Sequence, residues 1–286
     1  MATQVSPVHN RPAHVLTPAE QRAAYDQDGY LVFRELLDAT ELAVLRSALG
    51  EVVRDAESLT ETNDKFSITR TDGGGYSVRR IFDPIVRHQA FHDLVLKPKI
   101  LDVVENLIGP NIQLHTKLNL KPPSSRDARF EWHQDHPFFP HTNFDLLAVM
   151  IFLDDSTQEN GCLTTIPGSH KWGPRNHLFA KDGAFSSQLN HKSVLDDRTR
   201  WVRVPVPAGG MEVNRCNLLH SSTANLGNRP RSAIVIQYRA ADNVALGGNM
   251  SQAGFGMQVR GVHPYRVRMM AGDFQAARPD RRSAPA

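Results

Sequence analysis

The feature that most constrains the fold is a series of strand-like runs between residues 109 and 245. The first run, "NIQLHTKLNL", alternates apolar and polar residues, which predicts a strand with one apolar and one polar face. The polar face carries Gln113, His115, Lys117 and Asn119. Further runs, separated by Gly, Pro and Asn turns, lie at Leu146–Leu153, Trp201–Val206, Met211–Leu219 and Ser232–Tyr238. Strands spaced this way without helices between them predict a mainly β, antiparallel sandwich or barrel.

The preceding third of the chain carries helix signals. Thr17 is placed to cap a helix that begins at Pro18, with Glu20 completing a capping box and Gly29 at its end. A second helix is predicted from Asp38, with an apolar stripe of Leu42, Leu45, Leu49 and Val52, and a third from Pro98 to Ile108. These patterns predict one domain at residues 17–270, with a helical part (17–108) and a β-core (109–245). Residues 1–16 are expected to form a disordered arm and 271–286 a flexible tail.

The composition excludes several classes of protein. The net charge of +3 comes from 33 basic and 30 acidic residues spread along the 286-residue chain, without a basic block of the kind that binds nucleic acid. The longest apolar run, Leu146–Leu153, is far shorter than the ~20 residues of a membrane span. Two cysteines indicate no disulfide scaffold and fit a reducing compartment, so a cytoplasmic location is expected. The oligomeric state is not indicated by any of these features.

A cluster of potential ligands lies in "EWHQDHPFFPHTN", at residues 131–143. On an extended strand His133 and Asp135 point to the same side, and Gln134 points away. The spacing alone is weak evidence in a chain with 13 histidines, and a hydrogen-bonded or surface histidine is the ordinary alternative. His220, at the end of the apolar strand "EVNRCNLLH", is the best third ligand. Two histidines and one carboxylate suit a non-haem Fe(II) oxygenase.

An oxygenase iron of this kind uses 2-oxoglutarate, whose far carboxylate needs a cation. Arg231 follows the turn "NLGNRP", on a strand expected to return beside the strand of His220, and its planar guanidinium matches a carboxylate. A surface charge in the turn is the ordinary alternative for this arginine. Alternation places small residues next to it on one face, which leaves room for a ligand. That face carries Arg231, Ala233, Val235, Gln237 and Arg239.

Four motifs together resemble the phytanoyl-CoA dioxygenase family of Fe(II)/2-oxoglutarate oxygenases. In order, they are "GPNIQLHTKLNLKPP", "HQDHPFF", "ENGCLTTIPGSHKWG" and "LLHSSTANLGNRPR", over roughly residues 109–240. The resemblance implies a double-stranded β-helix, or jelly roll, with flanking helices. It also implies iron held by His133, Asp135 and His220, and 2-oxoglutarate bound by Arg231, Ser222, Lys117 and Arg80.

Several other residues are expected to contact the substrate. His136 and Phe138, with the neighbouring His141, are interpreted as loop or rim residues, and His170 as part of a structural turn. Residues 173–200 have the length of a lid. The substrate candidates are Asn119, His136, Phe138, Trp172, Arg175, Gln237 and Arg239.

The expected reaction is hydroxylation, or a related desaturation or ring closure, that uses Fe(II), 2-oxoglutarate and dioxygen, with ascorbate as an assay aid. Halogenating relatives replace the carboxylate ligand, whereas Asp135 is present here. The substrate is expected to be a small metabolite or natural-product intermediate, with an acyl-CoA as the alternative class. A catalytically silent jelly roll that binds a metal or ligand is the alternative function.

Overall fold

The structure, a computed structural model, describes residues 16–71, 73–123, 129–179, 185–190, 192–247 and 253–270. Within these ranges only the backbone is described at residues 115–117, 179, 185–188, 192 and 194. The predicted arm, apart from Leu16, and the predicted tail at residues 271–286 lie outside the described residues.

Four α-helices lie in the described amino-terminal part: α1 (Pro18–Asp28), α2 (Ala39–Arg54), α3 (Gln89–Val95) and α4 (Pro98–Ile108). The predicted capping boxes at Thr17 and Asp38 are both present. Helix α1 ends at Gly29, whose φ of 85° is a left-handed conformation that favours glycine. Helix α3 was not predicted, because seven residues are too few to reveal a helical apolar stripe. None of the described helices is both long and apolar enough to cross a membrane.

The described part of the chain contains fourteen strands. They are β1 (Tyr30–Phe33), β2 (Phe66–Arg70), β3 (Tyr76–Phe82), β4 (Ile112–Lys121), β5 (Phe130–His133), β6 (Leu146–Phe152), β7 (Leu163–Thr165), β8 (His177–Phe179), β9 (Phe185–Leu189), β10 (Val202–Val204), β11 (Met211–Arg215), β12 (His220–Ser222), β13 (Arg231–Ala240) and β14 (Met257–Arg260).

The strands form two main antiparallel sheets. The larger has the order β1-β11-β6-β13-β4-β3-β2, with β14 also paired to β4, and the smaller has the order β10-β7-β12-β5. From β4 to β7 the chain passes from one sheet to the other with each strand, and it does so again from β10 to β13. This is the strand order of a jelly roll, so the mainly β prediction is confirmed. The larger sheet also takes β1–β3 from the helical part and β14 from beyond residue 245.

The larger sheet buries its two faces against different partners. Ile112, Leu114 and Leu118 of β4 pack in one core with residues of α4, including Ile100 and Val104. On the opposite face a smaller core joins residues of both sheets, such as Phe152, Leu163 and Val204. The predicted alternation in β4 and β13 is therefore confirmed, and the polar faces of these strands are directed between the sheets.

The predicted strand at Met211–Leu219 is wrong in its extent. Strand β11 ends at Arg215, the chain turns with a Leu218 N–H donating to the Arg215 carbonyl at 3.0 Å, and His220 begins β12 in the smaller sheet. The apolar sequence continues through the turn because Leu218 and Leu219 are themselves buried. A buried turn has the same composition as a buried strand, so the sequence pattern did not separate them.

Two further expectations change with the topology. The strand of Arg231 does not lie beside that of His220, because β13 pairs with β4 and β6 in the larger sheet. The segment at residues 173–200 contains a hairpin of β8 and β9 and two 3-10 turns, Lys192–Leu195 and Arg198–Arg200. The length of the segment does not predict a hairpin. The turn before Arg231 does not predict which sheet contains β13.

Candidate metal centre

Three potential metal ligands converge at the edge of the smaller sheet. His133 ends β5 and His220 begins β12, and the two residues are partners in the antiparallel register. Asp135 follows in the loop after β5, with its Oδ1 at 3.9 Å from His133 Nε2 and 4.0 Å from His220 Nε2. The ligand atoms of all three residues lie within 4.8 Å of one another.

Backbone carbonyls orient both imidazole rings. His133 Nδ1 donates to the Glu131 carbonyl at 2.6 Å, and His220 Nδ1 donates to the Leu218 carbonyl at 3.0 Å. Each Nε2 lone pair is thereby directed toward Asp135, as in metal-binding histidines generally. Burial, followed by the proximity of His220, lowers the pKa of His133 to about 3, so the ring stays neutral and able to bind a metal.

The three ligands line a cavity between the two sheets. The apolar part of its wall is formed by Phe130, Ala148, Met150, Leu163 and Val235. The polar part, besides the three ligands, is formed by Asn119, Asn214, Ser221, Ser222 and Arg231. Two expected contact residues, Asn119 and Ser222, are thus brought to the same cavity as the metal ligands and Arg231.

Arg231 is buried with part of its hydrogen-bonding capacity unused. Its side chain is 2% exposed, and its Nη1 donates to the Gly161 carbonyl at 3.1 Å. Its Nε is buried and has no hydrogen-bond partner among the described residues. Burial lowers the pKa of Arg231 to about 10, which leaves the guanidinium charged at neutral pH. A charged guanidinium at the cavity wall, with an Nε–H that has no partner among the described residues, fits a carboxylate.

Lys121, which sequence reasoning missed, lies beside Arg231 at the end of β4. Its Nζ donates to Ser222 Oγ at 2.8 Å, and burial followed by the charge of Arg231 lowers its pKa to about 6. A signal was present in the sequence, because Lys121 continues the alternation of the polar face that carries Lys117 and Asn119. The side chain of Lys117 itself lies outside the described part of the chain.

The remaining expected residues divide into near and distant sets. The Phe138 ring lies 5.7 Å from the His133 ring, centroid to centroid, and Arg80 Nε donates to Asn119 Oδ1 at 2.9 Å. His136, in contrast, is fully buried, with its ring 4.9 Å from that of Phe144. The other four do not line the cavity; these are Trp172, Arg175, Gln237 and Arg239.

Two histidines with other roles lie near the candidate ligands. His177 Nδ1 donates to the Arg175 carbonyl at 2.8 Å and its Nε2 accepts from the Gln134 N–H at 3.1 Å, so both ring nitrogens are used. His170 packs against the turn after α1, where a Cβ on Gly29 would lie 2.3 Å from His170 Nδ1. The interpretation of His170 as part of a structural turn fits this contact.

Sequence reasoning also missed Glu212. This residue of β11 is completely buried, and both of its carboxyl oxygens are without a hydrogen-bond partner among the described residues. Burial, and then the negative charge of Asp135, raise the pKa of Glu212 well above its usual range. A lone glutamate within an apolar stretch carries no motif, so nothing in the sequence singled it out.

Comparisons with known proteins give the relatives of this chain. Residues 25–233 match the family model described as phytanoyl-CoA dioxygenase (PhyH). A probable alpha-ketoglutarate-dependent hypophosphite dioxygenase of Stutzerimonas stutzeri is 33% identical over 229 residues, which are 78% of this chain and 79% of that protein. The ectoine dioxygenase of Sphingopyxis alaskensis is 27% identical over 240 residues, covering 79% of this chain and 76% of that protein.

Solved structures share the fold. The structure of EctD from S. alaskensis with 2-oxoglutarate and 5-hydroxyectoine has a TM-score of 0.67 at 24% identity, and covers 97% of this chain and 94% of that chain. The same enzyme with bound Fe has a TM-score of 0.66 at 25% identity, with 95% and 94% covered.

Proposed function

The chain belongs to the phytanoyl-CoA dioxygenase family of Fe(II)- and 2-oxoglutarate-dependent dioxygenases, and we propose which of its residues form the catalytic site. His133, Asp135 and His220 hold the iron, and Arg231 with Ser222 binds the distal carboxylate of 2-oxoglutarate. The observation that carries this assignment is the convergence of three ligand atoms in one cavity with a buried arginine that keeps a spare donor.

The residues present fit the iron and its cosubstrate. The two Nε2 atoms and the Asp135 carboxylate form the donor set that Fe(II) oxygenases use, and these three residues would hold the iron. The carbonyls of Glu131 and Leu218 hold the rings in the required tautomer. Lys117 stays a proposed cosubstrate contact on the strand face that Asn119 shares. Arg80 orients Asn119, which lines the cavity, through a hydrogen bond to its side chain.

The bound iron and 2-oxoglutarate supply an oxidant from dioxygen, with 2-oxoglutarate converted to succinate and carbon dioxide. The protein provides position and environment. Arg231 orients the dicarboxylate so that its other end reaches the iron, and the apolar wall, including Met150 and Leu163, excludes water. Phe138 borders the His133 ring, and it stays a proposed substrate contact. The product is a hydroxylated, desaturated or cyclised compound.

A small metabolite or natural-product intermediate is the proposed substrate class, in preference to an acyl-CoA. Binding of a CoA phosphate calls for a cluster of free cations. Arg260 instead pairs with Asp102 and Glu105, and Arg239 donates to the Asn243 carbonyl. Small substrates are also the ones named for two of the relatives, hypophosphite and ectoine.

The cellular compartment and the domain organisation are part of the same proposal. Cys162 and Cys216 are both buried and free, which suits a reducing compartment such as the cytoplasm. We infer a single catalytic domain at residues 17–270, because strands from the helical part and from beyond residue 245 join the larger sheet of the β-core.

Succinate formation tests the proposed site. Purified protein with Fe(II), ascorbate and dioxygen is expected to convert 2-oxoglutarate to succinate, and His133→Ala or Asp135→Ala is expected to reduce this to background because the metal is lost. Mass spectrometry over a panel of small metabolites then identifies a substrate by a gained oxygen atom or a lost pair of hydrogens.

The matched control is His263→Ala, which removes an exposed histidine and is expected to keep full turnover. Full succinate formation by either ligand variant would overturn the ligand assignment. A folded wild-type protein that contains zinc or no metal, and releases no succinate with any substrate, would support a catalytically silent relative instead.

A further inference from the structure

Lys121 and Arg231 are two buried basic residues that are partners in the register of β4 and β13, and Arg231 lines the cavity. The Lys121 side chain is 1% exposed, and its Nζ lies 3.4 Å from the Gly161 carbonyl oxygen. That same oxygen accepts from Arg231 Nη1 at 3.1 Å. Lys121 Nζ also donates to Ser222 Oγ at 2.8 Å and to the Thr223 carbonyl. The lysine therefore contacts a residue of the cosubstrate site and a carbonyl that Arg231 shares.

Gly161 makes this close approach possible. Its φ is +81°, and a Cβ added there would lie 2.3 Å from the Thr223 carbonyl oxygen and 3.0 Å from Lys121 Nζ. Any larger residue would push the lysine out of place, in addition to straining the backbone. The local backbone therefore leaves room for the lysine Nζ beside the arginine.

The two basic side chains have no carboxylate partner in the described part of the protein. Neither Lys121 nor Arg231 forms an ion pair with a carboxylate there. Burial and then repulsion by Arg231 lower the pKa of Lys121 to about 6, with Arg79 adding to this and Cys162 opposing it. The three oxygens around Nζ nevertheless match the three hydrogens of an ammonium group. An anion is the component that makes this arrangement favourable.

We propose that Lys121 is a positioning residue for the cosubstrate, which takes up one proton when the distal carboxylate of 2-oxoglutarate binds beside it. As an ammonium it donates to the oxygen of Ser222, so the Ser222 hydroxyl hydrogen is free to donate to the carboxylate. The proton comes from solvent and converts the amine to the ammonium, without change to any other bond. This inference rests on the proposed function and adds a residue and a proton to it.

Calorimetry of the wild-type protein tests the proton uptake directly. Binding to the Fe(II)-loaded protein is measured without oxygen at about pH 7.5, in buffers of different ionisation enthalpy, for 2-oxoglutarate and for pyruvate, which lacks the distal carboxylate. The expected result is uptake of roughly one proton per 2-oxoglutarate bound and none with pyruvate. Binding of 2-oxoglutarate without proton uptake would overturn the role of Lys121 alone. Failure of 2-oxoglutarate to bind at all would overturn the proposed function.

A variant pair provides the second measurement. Lys121→Met is expected to weaken 2-oxoglutarate binding by roughly 10- to 100-fold and to abolish the proton uptake, with pyruvate binding unchanged. Lys65→Met, at an exposed lysine, is expected to match the wild type in all three respects. Wild-type affinity and proton uptake in Lys121→Met would contradict the proposal. If Lys121→Met does not fold, the wild-type calorimetry decides.

Discussion

Two buried acids near the iron site differ because only one of them has partners. The Asp135 carboxylate faces the Nε2 atoms of His133 and His220. Glu212 has no hydrogen-bond partner among the described residues, and burial together with the charge of Asp135 raises its pKa. A carboxyl group in such surroundings is favoured in its protonated form. The surroundings of Glu212 therefore favour the neutral form of its carboxyl group.

The raised pKa of Glu212 predicts a particular pH dependence of stability. The unfolded chain titrates this group at about pH 4.3, below its folded pKa. Its contribution to the free energy of unfolding is thus fully present below that pH and is lost as the pH rises through the folded pKa. Glu212→Gln, which is neutral at every pH, is expected to lack this loss. In the metal-free protein, the Tm of the variant should rise relative to wild type between pH 5 and pH 8.

Thermal unfolding at several pH values, with a chelator present, measures this effect. Glu57→Gln, at an exposed position, is the control and should follow the wild-type pH curve. Parallel curves for Glu212→Gln and the wild type would show that Glu212 ionises normally in the folded protein.

At the scale of elements, one glutamine ties together the segments that carry the ligands. The Gln134 side chain donates to the Gly173 and Asn217 carbonyls at 3.0 and 2.6 Å, and accepts from the Arg175 N–H at 2.7 Å. It thereby joins the end of β5 to the segment leading into the β8–β9 hairpin and to the turn before β12. Gln134 has no place among the metal ligands, yet it fixes the loop between His133 and Asp135.

Removal of this connection is expected to affect both stability and iron binding. Gln134→Ala should lower the free energy of unfolding by ~2–4 kcal/mol, because it removes one buried and two partly buried hydrogen bonds and leaves their partners unsatisfied. Iron affinity should fall by roughly 10- to 100-fold, as for other residues that orient metal ligands. Denaturant unfolding and anaerobic Fe(II) titration measure the two effects. Gln27→Ala, on the exposed face of α1, is the control, and equal values for the two variants would refute the role of Gln134.

Local patterns predicted the elements better than their arrangement. The alternation in β4 and β13 and the caps at Thr17 and Asp38 are short-range features, and the structure has them. The break between β11 and β12 was missed because its turn is buried and apolar. The sheet that receives β13 depends on pairing between residues far apart in the chain, which periodicity does not encode. His220 was predicted as the third ligand from its place at the end of an apolar strand, and the motif resemblance implied the same ligand.

At the scale of the whole molecule, the jelly roll brings the parts of the site together from two sheets. The smaller sheet and its loop supply His133, Asp135 and His220, and the larger sheet supplies Arg231, with Lys121 as its partner on β4. The helices cover the outer face of the larger sheet and leave its polar inner face to the cavity. Passage of the chain between the sheets therefore places the metal ligands opposite the cationic end of the site.

The central claim is that this cavity binds iron and 2-oxoglutarate together through the named residues. The most direct measurement is the visible absorption of the protein with Fe(II) and 2-oxoglutarate in the absence of oxygen. A weak metal-to-ligand band is expected that requires both components, saturates at one iron per chain and is absent in folded His220→Ala. A folded wild-type protein that shows no such band, or a His220→Ala variant that retains it, would contradict the account.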